Sequence, residues 1–142
     1  MKKSILIVLF LSLSALIFAQ EQMDKQDILQ LCIEVPELQS LLVDESGQQL
    51  QQLVVMSNEN IQPGEISLTK FGKSVRVVDL ETINELELTP YIIINTFEID
   101  GNNATVYFQL ASRISSLWHW FDLKLTNESE TWQIVELNTM ED

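Results

Sequence analysis

The stretch YIIINTFEIDGNNATVYFQL, Tyr91 to Leu110, decides how this chain is read. Residues 91–99 are rich in β-branched and aromatic side chains, which suit a pleated, half-buried surface. Asp100-Gly101-Asn102-Asn103 then supplies turn chemistry, and Ala104 to Leu110 alternates small or apolar residues with polar ones, so the stretch predicts a β-hairpin.

Toward the C-terminus the pattern repeats. Leu117–Leu125 and Thr131–Leu137 flank the turn residues Asn127-Glu128-Ser129-Glu130, which extends the hairpin to an antiparallel meander of four strands. Strict alternation along each strand puts Tyr91, Ile93, Asn95, Phe97 and Ile99 on one face with Ala104, Val106, Phe108 and Leu110, joined by Leu117, His119, Phe121, Leu123 and Leu125. This is the expected core face, and its polar members are Asn95 and His119, with the Tyr91 hydroxyl near one end. The other face is expected to carry Ile92, Ile94, Tyr107, Trp118 and Trp120 beside Thr96, Glu98, Gln109, Asp122 and Lys124. That is more aromatic surface than a solvated face usually shows, and the helical part, a second copy or a ligand could cover it.

Toward the N-terminus the period changes. Ile28, Leu31, Cys32 and Val35 recur at helical spacing after Asp24, a residue suited to an N-cap. Pro36 interrupts that helix and suits the first position of a second, through Leu38, Leu41 and Leu42, ending at Asp44-Glu45-Ser46-Gly47. Leu50–Met56, Ile66–Phe71 and Val75–Val78 read as short strands, and Asp79–Leu86 as one or two helical turns. Met1-Lys2-Lys3, the apolar run Ile5–Phe18 and the Phe18-Ala19-Gln20 junction have the form of a secretory signal peptide. The expected division is therefore a signal peptide over residues 1–19, cleaved after Ala19, and a single domain over 20–142, exported to the periplasm or the extracellular space. Leu29-Gln30-Leu31-Cys32 lacks the small residues of a lipidation site and lies beyond the apolar run.

The whole chain has 8 basic and 21 acidic residues; without Lys2 and Lys3 the balance is 6 against 21, or −15. A field of that sign repels nucleic acid and anionic lipid and favours cationic partners. No membrane association is expected once the leader is removed. The single cysteine, Cys32, can form no internal disulfide, so the fold rests on its apolar core, with Cys32 as a small buried hydrophobe.

The order Phe97-Glu98-Ile99-Asp100-Gly101-Asn102-Asn103-Ala104-Thr105-Val106, then Leu123-Lys124-Leu125, then Trp132-Gln133-Ile134-Val135 resembles the C-terminal meander of NTF2-like α+β domains, as found among small exported bacterial proteins. The resemblance covers Tyr91 to Leu137. It implies an α+β cone, NTF2-like or cystatin-like, with short N-terminal helices packed on a curved, mainly antiparallel sheet. Such folds serve enzymes, ligand binders and structural domains alike, so the fold selects no function.

Several motifs fail on their chemistry. Ser67 to Ser74 imitates a phosphate loop, but Ser67 replaces its first glycine and an extended segment follows where a helix is required. Thr96 to Tyr107 imitates a calcium loop without carboxylates at its end positions. One histidine and one cysteine make no zinc set, and no cofactor or metal is expected. Asn103-Ala104-Thr105 and Asn127-Glu128-Ser129 fit the glycosylation pattern, at turns where asparagine is favoured anyway. Two functional readings remain. The first is a non-enzymatic binding or assembly module, contacting a homodimer mate or an exported protein partner through Tyr107, Trp118 and Trp120. The second is a small-molecule binder or enzyme with Asn95 and His119 at the floor of a pocket.

Overall fold

A long N-terminal helix, α1 (Lys2–Ile33), runs without a break to the point where proline chemistry ends it. The computed structural model describes residues 2–44, 46–49, 52–112 and 117–142. No glycine or proline occurs before Pro36, so the expected start at Asp24 is corrected: Asp24 sits inside α1. Val35 is extended (φ −59°, ψ 137°), as a residue before proline prefers, and Pro36 opens α2 (Pro36–Leu41).

Seven strands follow among the described residues: β1 (Val54–Met56), β2 (Leu68–Lys70), β3 (Lys73–Val78), β4 (Tyr91–Asp100), β5 (Asn103–Ala111), β6 (Trp118–Glu128) and β7 (Thr131–Glu141), with α3 (Leu80–Glu85) between β3 and β4. Leu50 and Gln51, expected at the start of β1, lie outside the described residues. The strands form one curled sheet in the order β2-β3-β1-β4-β5-β6-β7. Strands β4 to β7 make the expected antiparallel meander, while β1 runs parallel to both β3 and β4, so the sheet is mixed. The fold class is α+β, with helices on a curved, mainly antiparallel sheet. The second half of α1 packs against the two edge strands, β2 and β7.

The core face unites Ile28, Leu29, Cys32 and Ile33 of α1 and Leu38 of α2 with Ile92, Ile94, Val106, Phe108, Leu110, Phe121, Leu123 and Leu125 of the sheet. Ile92 and Ile94 therefore reverse their expected side. The cause is a β-bulge at Asn95: Ile94 pairs with Phe108, but Thr96 pairs with Tyr107. The extra residue shifts the alternation by one, so Ile92 and Ile94 before it and Phe97 after it all face the core. Tyr91 and Ile93 go to the outer face instead. Two asparagines hold the bulge, since Asn58 and Asn60 each donate a side-chain hydrogen bond to the Ile94 carbonyl, both at 2.8 Å.

Cys32 is buried as expected, and burial pushes its thiol up to about 12, which keeps it protonated and inert. Lys70, inside the rejected phosphate-loop look-alike, is also buried; its ammonium donates to the Ile33 carbonyl at 2.7 Å and so caps the C-terminal end of α1. The look-alike's glycine serves a hairpin: Phe71 and Gly72, at φ 52° and 73°, form the two-residue turn between β2 and β3.

The β6–β7 turn places Ser129 and Glu130 at φ 55° and 64°, a left-handed conformation that costs both side chains energy. Replacing them with the residues that such a turn prefers, Ser129→Asn with Glu130→Gly, is expected to raise stability by about 1 kcal/mol. A rise in the urea unfolding midpoint would show it; an unchanged midpoint would mean that the turn carries no strain.

Candidate functional site

The outer face is built by the β5–β6 register. Gln109 lies opposite Trp120 and Tyr107 opposite Asp122, which makes Tyr107 and Trp120 diagonal neighbours. Their rings stack at 5.6 Å between centroids with a 12° interplanar angle. Trp118, opposite Ala111, is 39% exposed, and Met140, which pairs with Trp120 from β7, is 57% exposed. The three aromatics expected on this face are therefore together on it.

Part of the face is covered. Val54, Ala111 and Ile83 are buried yet lie outside the main core cluster. Val54 and Ala111 belong to the outer side by register, through Tyr91, so that end of the outer face is buried. What remains open is the β5–β7 portion bearing Tyr107, Trp118, Trp120 and Met140. Beneath it, Gln109 is only 9% exposed, and its side-chain oxygen is a buried acceptor that has no hydrogen-bond partner among the described residues.

His119 points the other way, as its strand position requires. It lies opposite Leu110 on the core side and opposite Glu141 of β7, with its Nδ1 4.0 Å from the Glu141 carboxylate. It is not sealed by apolar side chains: a cavity of about 330 Å³ beside it is lined by Glu37, Ser40, Leu41, Phe121, Thr139 and Glu141 among others. Asn95 does not share this cavity. It is exposed on the bulge of β4, where its carbonyl accepts a 3.2 Å hydrogen bond from Asn60. The expected pairing of Asn95 and His119 on one pocket floor is thus corrected, because the bulge turns Asn95 out of the alternation on which that pairing depended.

A second cavity, of about 530 Å³, lies between α1 and the β4–β5 hairpin, lined in part by Phe18, Gln22, Lys25, Glu65, Phe97 and Ile99. Lys25 bridges Glu65 at 2.8 Å and sits 5.4 Å from the centre of the Phe97 ring. Nearby, Trp132 Nε1 donates to Asp24 at 3.0 Å. Sequence reasoning missed these groups, since residues 40 apart in the chain for Lys25 and Glu65, and 108 apart for Asp24 and Trp132, carry no local signal of contact. Phe18, one wall of this cavity, lies on the leader side of the expected cleavage point.

No protein-family model matches this chain, and none of the curated proteins compared with it does. Two solved structures are similar in fold. One is a de novo designed β-sheet protein with a cystatin fold, at TM-score 0.34 and 11% identity over 44% of this chain and 79% of that one. The other is an NTF2-like protein of unknown function from Silicibacter pomeroyi, at TM-score 0.33 and 13% identity over 54% of this chain and 67% of that one. Both likenesses are weak, and each extends over about half of this chain.

Burial raises the Glu65 carboxyl, but the hydrogen bonds from the Lys25 ammonium and the Gln62 N–H, with the Lys25 charge, outweigh it and leave Glu65 below its ordinary 4.5. A carboxylate lowered on folding stabilises the fold above the ordinary value and loses that contribution as pH falls through the folded one. Glu65→Gln is therefore expected to lower stability by about 1 kcal/mol at neutral pH. The gap to the parent protein should close in acid, as urea unfolding at neutral pH and near pH 3 would show; a gap independent of pH would refute the assignment.

Proposed function

We propose that this protein is an exported, non-enzymatic binding module whose contact surface is the open outer face around Tyr107, Trp118 and Trp120. The observation that carries this reading is the stacked Tyr107–Trp120 pair, with Trp118 and Met140 exposed beside it on the outer face of the sheet. Large rigid aromatics supply contact area at low entropic cost, and they are the residues that anchor interfaces. A sheet face serving only as solvated surface does not need them.

Export is supported by the shape of α1. From Leu9 to Phe18 its large apolar side chains are 57–76% exposed, whereas the tertiary hydrogen bonds and ion pairs of α1 among the described residues begin at Gln22. An apolar helix standing free in water is unstable on its own, which fits a leader that directs the chain and is then removed. The mature domain would keep the half of α1 that packs on the sheet.

Trp118→Ala combined with Trp120→Ala should leave the fold cooperative and reduce recovery of the binding partner from the exported fraction at least tenfold. Equal recovery by the parent and double-variant proteins, at equal stability, would remove this reading.

A second reading is supported by the cavity beside His119, in which an imidazole and the Glu37 and Glu141 carboxylates face a common space. A small ligand there would shift the His119 ring resonances, and His119→Phe, which keeps a ring of similar size but removes its nitrogens, should abolish its binding. Failure of any member of a broad small-molecule panel to move those resonances would count against a pocket role.

A further inference from the structure

The two edges of the sheet are treated differently. Edge strands expose unpaired backbone groups and are templates for further pairing unless something blocks them. At β2 the block is α1: Gln30 accepts from the Thr69 N–H at 3.0 Å and donates to the Thr69 carbonyl at 2.8 Å, while Gln26 accepts from the Ser67 N–H at 3.0 Å. Two glutamine side chains thus act as a substitute neighbour strand. At β7 nothing comparable occurs among the described residues: the backbone hydrogen bonds of this edge go to β6, and the strand contains neither proline nor lysine.

A bulge at Val135, where Lys124 pairs with Glu136 but Leu125 pairs with Ile134, leaves Glu136–Glu141 as a segment of unbroken register. Six residues is an ordinary strand length. This segment borders the open aromatic surface, since Met140 pairs with Trp120, and Asn138 pairs with Asp122, which itself lies opposite Tyr107. Edge and aromatic face are therefore contiguous.

The charge around the edge has one sign. Beyond Lys124 the chain carries Glu128, Glu130, Glu136, Glu141 and Asp142 and no lysine or arginine, and Lys124 itself is tied to Glu136 at 2.9 Å. A second copy would bring the same carboxylates to the same edge, on a chain whose formal charge is already −13. Like charges facing across strands destabilise a pairing, whereas a basic strand meets them with complementary charge. Its long cationic side chains on the outer face would extend toward the Trp120 ring, where an arginine or lysine is attracted to the aromatic face.

We propose that the Glu136–Glu141 edge of β7 accepts an extended basic segment of a partner protein, which adds to the sheet as an eighth strand beside Met140, with Trp120 one strand further in. Main-chain pairing supplies affinity in such strand addition, and the side chains flanking the edge supply selectivity. This inference rests on the outer-face reading for its location, but it fails separately if the partner touches the aromatics without pairing to the edge.

The test uses the full chain, recovered in whatever form the expressing cell leaves it, isotopically labelled, and titrated with a synthetic peptide of about nine residues that alternates arginine with valine and threonine. Binding with slowed hydrogen exchange at backbone amides of residues 136–141 and shifts of the Trp118 and Trp120 indole signals is the expected result. Glu136→Gln with Glu141→Gln should weaken that binding about fivefold at low salt, and a peptide with proline at alternate positions should not bind. Indole shifts without added amide protection would overturn strand addition while leaving the aromatic contact surface in place. Equal binding of a glutamate-for-arginine peptide would overturn the basic partner class. Concentration-dependent self-association with protection of the same amides would assign the edge to a second copy and overturn the proposal. No binding, with amides and indoles both unmoved, would overturn it as well.

Discussion

A single extra residue in β4 sets the arrangement on which the rest of the sheet depends. Without the bulge at Asn95, one half of β4 would have to point its apolar side chains outward, because a strand of ten residues alternates strictly. With it, Ile92 and Ile94 on one side and Phe97 on the other face the same core, opposite Leu110, Phe108 and Val106. The carbonyl freed by the irregularity is bound by Asn58 and Asn60, so the loop before β2 and the central strand of the sheet hold each other in place.

The packed half of α1 is the second organising element. It joins sheet positions far apart in the chain: Asp24 to Trp132 on β7, Lys25 to Glu65, Gln30 to Thr69 on β2, and the Ile33 carbonyl to Lys70. By lying across the concave side it fills the core, and by reaching β2 with Gln26 and Gln30 it closes one edge. The same helix meets β7 through Trp132, but among the described residues none of its side chains hydrogen-bonds the backbone of that edge strand. On the convex surface, the end near Val54 and Ala111 is buried, while the part around Trp118 and Met140 is exposed.

Much of the architecture was legible locally. The hairpin residues at Asp100–Asn103, the β-branched run before them and the proline break at Pro36 each act over a few residues, and each appears as read. The separation of His119 from Trp118 and Trp120 was legible for the same reason, since β6 has no irregularity between them. The face of Tyr91, Ile92, Ile93, Ile94 and Asn95 was not, because nothing in the local pattern marks the residue at which the ladder slips. Asp24 is locally ambiguous because its side chain can cap a helix or lie within one; nothing before it breaks the helix, and its carboxylate accepts from Trp132, more than a hundred residues away.

The sequence by itself determined the elements whose causes are short-ranged, namely turns that need positive φ or asparagine, strands that need branched side chains and a helix ended by proline, together with the acidic balance of the chain. Tertiary structure alone decided which strands neighbour one another, where the register shifts, which edge α1 blocks, and that the cavity beside His119 excludes Asn95. Those outcomes depend on packing and on hydrogen bonds between residues distant in the chain, and such contacts come into being only when the sheet closes around the helix.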